Sequence, residues 1–376
     1  MKTATALALA VGLFGTSALA APVRLSDAQL DAVAAGTSFA ITNKVADQTG
    51  VAPTTDPNLL NPWGLSQAPG SPLWVANNHS DTSTLYNQPA YAKLGLTVAV
   101  AGGPTGTVFT NSHGTGFQVS AGGKSGHALF LFATEAGTIS GWSPSVNPTQ
   151  AITAIDLSAD GALFKGLAFG EADGGAHAFA ADFANNAIDV FDPQFQKVGS
   201  FTDPNLPTGY APFNVQTLNG RLYVAFAQRG PTGDEVAGAG LGFVDVFDLN
   251  GVLQRRLVSN GALNAPWGLT IAPQSFGEFA GALLVGNFGD GKVNAYNAGT
   301  GAYIGTLTQS DGSPLTIDGL WALRRAEDGS VVFSAGPNDE TNGLIGVINP
   351  AANTASWAFR DHVNLAQTTS GVVFGH

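Results

Sequence analysis

From about residue 37 onward, short apolar runs alternate with turns rich in Gly, Asn and Asp. The clearest unit is Ala265–Gly301, where Pro266–Ile271, Ala282–Gly286 and Lys292–Tyr296 each read as a strand. Phe288-Gly289-Asp290-Gly291 lies between the last two. Asp-Gly between apolar runs is a hairpin signal, because these residues accept the left-handed backbone of a tight turn. The unit recurs in degraded form. Its first strand appears as Asn61-Pro62-Trp63-Gly64-Leu65, Gly116-Phe117-Gln118-Val119, Lys165-Gly166-Leu167-Ala168-Phe169, Ala211-Pro212-Phe213-Asn214-Val215, Ala265-Pro266-Trp267-Gly268-Leu269 and Asp318-Gly319-Leu320-Trp321-Ala322. Read at positions 64, 116, 166, 214, 268 and 319, the period stays near 50 residues. A second apolar run follows each, as in Leu73–Ala76 and Phe130–Ala133. Third and fourth runs follow in most units, as in Ala187–Phe191 and Val198–Thr202.

Six units of four strands at this period predict an all-β, six-bladed β-propeller with four-stranded blades. One blade cannot cover both of its apolar faces, whereas blades stacked around an axis bury them against each other and leave only short edges. Phe39–Val45 stands where an outer strand stands elsewhere, so the ring is expected to close by this N-terminal strand joining the last blade. Ala355–Phe359 competes for that place. No composition shift divides residues 37–350, which read as one domain followed by a C-terminal tail over 351–376.

The N-terminus changes the picture of where the chain goes. Lys2, the apolar Ala4–Phe14 and the small-residue Ala18-Leu19-Ala20 read as a signal peptide over residues 1–20, which predicts export to the periplasm or beyond. Residues 21–36 read as a short helix, with Ser26 as cap, Gln29 three residues on, and Gly36 as its end. Only 11% of residues are charged, 49 are Gly and none is Cys, which suits tight-turned β structure and excludes disulfides, a thiol nucleophile and Cys-ligated metal. A formal charge of −12 argues against nucleic acid and anionic membrane as partners. No run reads as a membrane span, and the chain is expected to be a monomer whose partner is a small molecule, a glycan or a protein.

The ordered motifs NPWGL, LWVANN, TSTLYN, TEAGTISGW, FKGLAF, FTDPNLPTGYAPFNVQ, APWGLTIAP, LLVGNFGDG, DGLWAL and SAGPND resemble an uncharacterised family of exported six-bladed propellers. That family is similar in fold to the NHL-repeat and TolB-like propellers. The resemblance covers roughly residues 38–348 and implies fold and export. It brings no catalytic or binding residue with it.

Candidate chemistry lies in the turns after the second strands: Asn77-Asn78-His79-Ser80-Asp81, Thr134-Glu135, Asp182 with Asn185-Asn186, Gln228-Arg229, Asn287 with Asp290, and Asn338-Asp339-Glu340. In a propeller these turns gather on one face around the channel mouth. Their amide and carboxylate oxygens suit a hard cation such as Ca²⁺ or another divalent ion, with Asn77, Asp182, Asn287 and Asn338 as ligands. They equally suit a hydrogen-bonded ligand held by Asn61, Asn77, Asn78, Asn185 and Asn338. Against both stands the ordinary use of Asn and Asp in turns. Glu135 and His79 are the candidate catalytic groups. The nearest approach to a nucleophile elbow, Gly123-Lys124-Ser125-Gly126-His127, lacks its second Gly, and the histidines form no H-x-H or H-E-x-x-H pair. Trp63, Phe213, Trp267 and Trp321 read as core packing ahead of a sugar-stacking platform. The sequence thus points to a binding or scaffold protein using the channel mouth, with a divalent-metal-dependent hydrolase or lactonase as the alternative.

Overall fold

A computed structural model describes residues 36–110, 116–172 and 174–351 of the chain. The expected signal peptide, the helix that ends at Gly36 and the competing strand Ala355–Phe359 lie outside the described residues. Six antiparallel sheets follow one another along the chain and form a six-bladed propeller. The first blade runs Pro62–Ser66, Leu73–Asn77, Thr82–Asn87 and Ala92–Ala99 from the axis outward. The third runs Phe164–Ala172, Gly175–Asp182, Ala187–Phe191 and Lys197–Phe201, and the fourth and fifth repeat the order from Tyr210–Leu218 and from Pro266–Ile271.

Burial follows position in the blade. Every residue of the second strands Leu73–Asn77, Phe130–Thr134, Leu283–Asn287 and Val331–Ala335 is buried. These strands have a blade neighbour on each side and a blade above and below, so an unbroken apolar run suits them better than alternation. Lys197–Phe201, an outer strand, is almost wholly exposed.

The second blade corrects the regular period. Its inner strand is Pro104–Phe109, not the Gly116–Val119 motif, which enters a separate two-stranded hairpin of Gln118–Ala121 and Lys124–His127. Adjacent blades crowd the axis at the inner position, where Gly64, Gly106, Gly166 and Gly268 stand in four of the blades. A Cβ on Gly106 would stand 2.3 Å from the Leu167 backbone nitrogen, and one on Gly64 would stand 2.6 Å from the Thr105 carbonyl oxygen. Gly106 therefore marks the second blade's inner strand, in place of position 116 at which the period was read. The hairpin shows the same apolar signature for another reason: Phe117 and Val119 are buried in a cluster with Ile139, Val146 and Phe191.

The last blade consists of Leu320–Arg325, Val331–Ala335, Leu344–Pro350 and the N-terminal strand Phe39–Ala46, so the ring closes as the sequence predicts. Phe39 opposes Pro350 and Ile41 opposes Ile348 in antiparallel register. Phe39 is 1% exposed, and its ring centroid lies 4.9 Å from that of Phe276. Thr54–Thr55 adds a short parallel pairing outside it. Among the described residues no helix is long and apolar enough to cross a membrane.

Candidate functional site

Inner strands begin at the mouth, and their first residues form a plug. Trp63 stacks on Trp321 with ring centroids 3.5 Å apart, and Phe288 stacks on Trp321 at 4.1 Å. Trp267 meets Trp63 and Trp321 edge-on at 6.1 and 5.8 Å. The three indoles and Phe213 are buried, so they are core residues rather than an open platform, and they pack against each other across the axis. Farther along the channel, between Gly64, Gly106, Asn214, Gln216 and Arg324, a cavity of only about 50 Å³ remains. That is room for a few waters. No larger ligand fits in this part of the channel.

A polar layer lies against this plug. Lys165 is 3% exposed; its Nζ lies 2.8 Å from Glu135 Oε1, 3.5 Å from Glu235 Oε2 and 5.1 Å from the centre of the Trp63 ring. Glu135 Oε2 accepts from Asn78 Nδ2 at 2.9 Å. Asn61 joins the plug to the mouth. The Trp321 indole N–H can only donate, and it donates to Asn61 Oδ1 at 2.8 Å, which fixes the amide orientation. Asn61 Nδ2 then donates to Glu340 Oε2 at 2.6 Å and faces His79 Nε2 at 3.3 Å. An amide nitrogen can only donate, so in this contact His79 Nε2 stands on the acceptor side.

The environment separates the ionisation of these groups. Burial raises the Glu135 carboxyl, but the Lys165 ammonium and the Lys165 and Asn78 hydrogen bonds carry it below its usual value. Burial lowers Lys165, and the Glu235 and Glu135 carboxylates more than restore it. Glu235 and Glu340 are pushed up by burial, which outweighs the opposing pull of Lys165 on both and of Asn61 on Glu340. A carboxylate held ionised beside carboxyls that keep their proton longer is an arrangement capable of acid–base work.

Beside Glu340 lies a recess of about 270 Å³ lined by Ala237, Phe288, Gly319, Asp318, Asp339 and Glu340. Its rim holds an unusual turn: Asn338, Asp339 and Glu340 have successive φ values of 59°, 48° and 62°. Each such left-handed L-residue costs about 1–2 kcal/mol, with Asn and Asp tolerating it best. Asp318 Oδ2 steadies the turn by accepting from the Asn338 backbone N–H at 2.9 Å.

Of the residues singled out from the sequence, Asn61, Asn78, His79 and Glu135 meet in this layer, although only Asn78 and His79 share a turn. The others bond within or next to their own turns. Asn77 Nδ2 donates to the Thr82 and Thr84 hydroxyls. Asp182 accepts from the backbone of Leu163 and Asn185 and from the Asn185 side chain. Asn287 Nδ2 donates to the Ala262 carbonyl and to Asp290. Asn338 is exposed and donates to Thr341 and Asn342. Asn77 and Asn287 each leave a buried Oδ1 without a donor. Among the described residues no group of three or more His, Asp or Glu side chains is placed to hold a metal ion. Lys165 and Glu235 are the mouth residues that turn composition does not point to. Lys165 sits inside an inner-strand motif, where a cation amid apolar residues was the available signal.

No family model matches the sequence. It is 34% identical over 330 residues to "Uncharacterized protein R648" of Acanthamoeba polyphaga mimivirus, covering 83% of this chain and 80% of that one. "Uncharacterized protein L690" of the same virus is 32% identical over 321 residues, covering 80% of this chain and 83% of its own length. Among solved structures, one titled "Streptogramin B lyase structure" aligns with 83% of this chain and 98% of its own, at 11% identity and a TM-score of 0.48.

Proposed function

The chain belongs to the family of the two mimivirus proteins R648 and L690, and since their names state no activity we propose its function from the channel mouth: it is a binding protein that holds a small polar ligand there. One observation carries this reading. Side chains from five of the six blades, His79, Glu135, Lys165, Glu235 and Glu340, converge on one closed end of the channel above a packed aromatic floor. Burying several ionisable groups together costs stability unless their pairing is good, and turn formation requires none of them. Export through the first twenty residues is part of the same proposal, so the ligand is met outside the cytoplasm.

The alternative is a hydrolase or lactonase, with or without a divalent ion. The opposite shifts of Glu135 and Glu340 favour it, because they supply a fixed anion and a proton-holding carboxyl in one layer. The test is thermal unfolding of the full chain against a panel of amines, sugars, lactones and divalent cations, repeated on Ala237→Trp. Ala237 is an exposed residue on the recess wall, so the indole fills the recess without removing a charge. A ligand at a hundredfold excess over Kd stabilises by about 2.7 kcal/mol. Stabilisation that Ala237→Trp abolishes supports the mouth reading; stabilisation that survives it, or none across the panel, rejects it. Turnover of a lactone by the chelator-treated or metal-loaded protein would favour the enzyme instead.

A further inference from the structure

Away from the mouth, the register of the fourth blade gathers a different set of side chains. Arg221 and Tyr223 stand two residues apart on the second strand Arg221–Arg229, so they project from one face of the sheet. Tyr223 opposes Val246, and Val246 opposes Arg255 on the outer strand Leu253–Ser259, which puts Arg255 on that same face. This face packs on the fifth blade, where Tyr223 shares a cluster with Leu269, Leu283 and Tyr296. Arg221, Tyr223 and Arg255, with Asn219 and Gln254, line a recess of about 340 Å³ there. Inner strands start at the mouth, so the Leu218–Arg221 turn beside this recess lies at the opposite end of its hairpin.

The donors of the recess are unspent. Arg255 donates to the carbonyls of Ala298 and Gly299 in the fifth blade, which holds its guanidinium plane and leaves further N–H groups. The Arg221 side chain makes no hydrogen bond or ion pair with a described residue, and neither arginine has a described carboxylate within ion-pair reach. Arg256, next along the strand and on the other face, is by contrast taken by Asp203 and Asp245. Tyr223 is only 5% exposed, yet its hydroxyl also bonds to no described residue. Asp248, which accepts from Gln254, is occupied further by the backbone N–H groups of Asn250 and Val252. In a chain of formal charge −12, carboxylates outnumber cations, and two guanidiniums left without one beside an unpaired, buried phenol fit an anion.

We propose that this recess binds a phosphoryl group, free or as the monoester of a small molecule, with both guanidiniums and the Tyr223 hydroxyl donating to its oxygens. Two guanidinium forks match the oxygens and the double charge of a phosphate, whereas a carboxylate offers two oxygens and a single charge. The acidic balance of the whole chain repels an extended polyanion, so the ligand is small. The site is separate from the mouth and does not depend on the reading given for it.

The test is calorimetric titration of the full chain at low ionic strength with inorganic phosphate, glycerol 3-phosphate and acetate. It is run on the wild type, Arg221→Gln, Arg255→Gln, Tyr223→Phe, Arg325→Gln and Ala237→Trp. Arg221→Gln removes no side-chain bond of the fold, so it carries the test even if Arg255→Gln loosens the turn that its guanidinium holds. Both phosphates are expected to bind, to weaken about tenfold or more in either recess Arg→Gln variant, and to weaken as NaCl rises. A several-fold loss is expected in Tyr223→Phe. Arg325→Gln, which removes one exposed charge elsewhere, and Ala237→Trp at the mouth should leave binding unchanged. Equal affinity for the two phosphates supports the site as one for free phosphate, and tighter glycerol 3-phosphate supports it as one for a monoester. No heat from either phosphate, or an unchanged affinity in Arg221→Gln, overturns the proposal. So does a loss in Arg325→Gln equal to that in Arg221→Gln, or a loss in Ala237→Trp. Acetate binding as tightly as phosphate overturns the phosphoryl assignment.

Discussion

Replacing Asn61 by Ala tests how the plug and the mouth depend on one another. Asn61 is fully buried, adopts φ of 44°, accepts the Trp321 indole N–H and donates to Glu340. Alanine leaves the indole nitrogen buried without an acceptor, which costs about 1–3 kcal/mol. It also puts a residue with no polar side chain into the left-handed region, at about 1 kcal/mol, and removes a donor from Glu340, at about 1 kcal/mol. The sum is roughly 3–5 kcal/mol. For a ring of this size, with unfolding entropy proportional to length, that is on the order of 5–8 °C in Tm. The assay is urea and thermal unfolding followed by far-UV circular dichroism, because Trp321 must also change. Phe at 321 removes the orphaned donor, so Trp321→Phe should cost less in the Asn61→Ala background than in the wild type. The expected coupling is about 1–2 kcal/mol. Additive losses, or an Asn61→Ala penalty below about 1 kcal/mol, would refute the claim that this amide is held by the indole.

Three other predictions follow from the same geometry. Gly106→Ala forces a Cβ toward the Leu167 backbone and should destabilise by about 1–3 kcal/mol or more in equilibrium unfolding; Gly199→Ala, in an outer strand, outside the positive-φ region and with nothing near its Cβ position, is the control for replacing a strand glycine without a clash. Lys165→Met leaves Glu135 and Glu235 facing each other without their cation and should cost about 3–5 kcal/mol near neutral pH, less in acid as the carboxyls protonate; a denaturant midpoint equal to the wild type at pH 7 would contradict it. In the fourth blade, burial pushes the Asp245 carboxyl up to about 7 even with Arg256 Nε 3.3 Å away. The folded state then holds the proton more tightly than the unfolded one, so this group takes stability away as pH rises from about 4 to about 7, and Asp245→Asn should flatten the stability profile across that window.

The fold was legible because the propeller imposes a local rule on every blade. Buried second strands must be unbroken apolar runs, and Leu73–Asn77, Leu283–Asn287 and Val331–Ala335 show this directly. The misplaced inner strand of blade two shows the limit of that rule. Phe117 and Val119 satisfy an apolar pattern as core residues of a hairpin, while Pro104–Phe109 carries Thr105 and Thr107 where other blades carry larger apolar groups. Only the approach of Gly106 to the next blade distinguishes the two, and that contact spans 61 residues of sequence. At the site, turn composition pointed to Asn61, Asn78, His79 and Glu135 because mouth residues are turn residues. It could not separate them from Asp182 or Asn185, which use the same chemistry to bond each other and the adjacent backbone of Leu163 and Asp160. Lys165 and Glu235 matter through each other, and no local pattern records a pairing between residues of different blades.

The seam between Phe39–Ala46 and Leu344–Pro350 sets the order in which this protein can assemble. Each of the other blades is complete within one stretch of chain, so its strands can zip up by local hairpins. The final blade joins two segments some three hundred residues apart, and loop closure over that distance carries an entropic cost that grows with the logarithm of length. A ribosome therefore delivers the earliest strand long before its mate, with one edge bare for the whole interval. Moving the break elsewhere would redistribute that delay. A circular permutant that links residue 36 to residue 351 and opens at the exposed Asn219-Gly220 turn would make the seam local and move the long-range pairing into the fourth blade. In this ring the position of the first blade is a property of the gene, and rotating it should alter the folding rate far more than the folded shape.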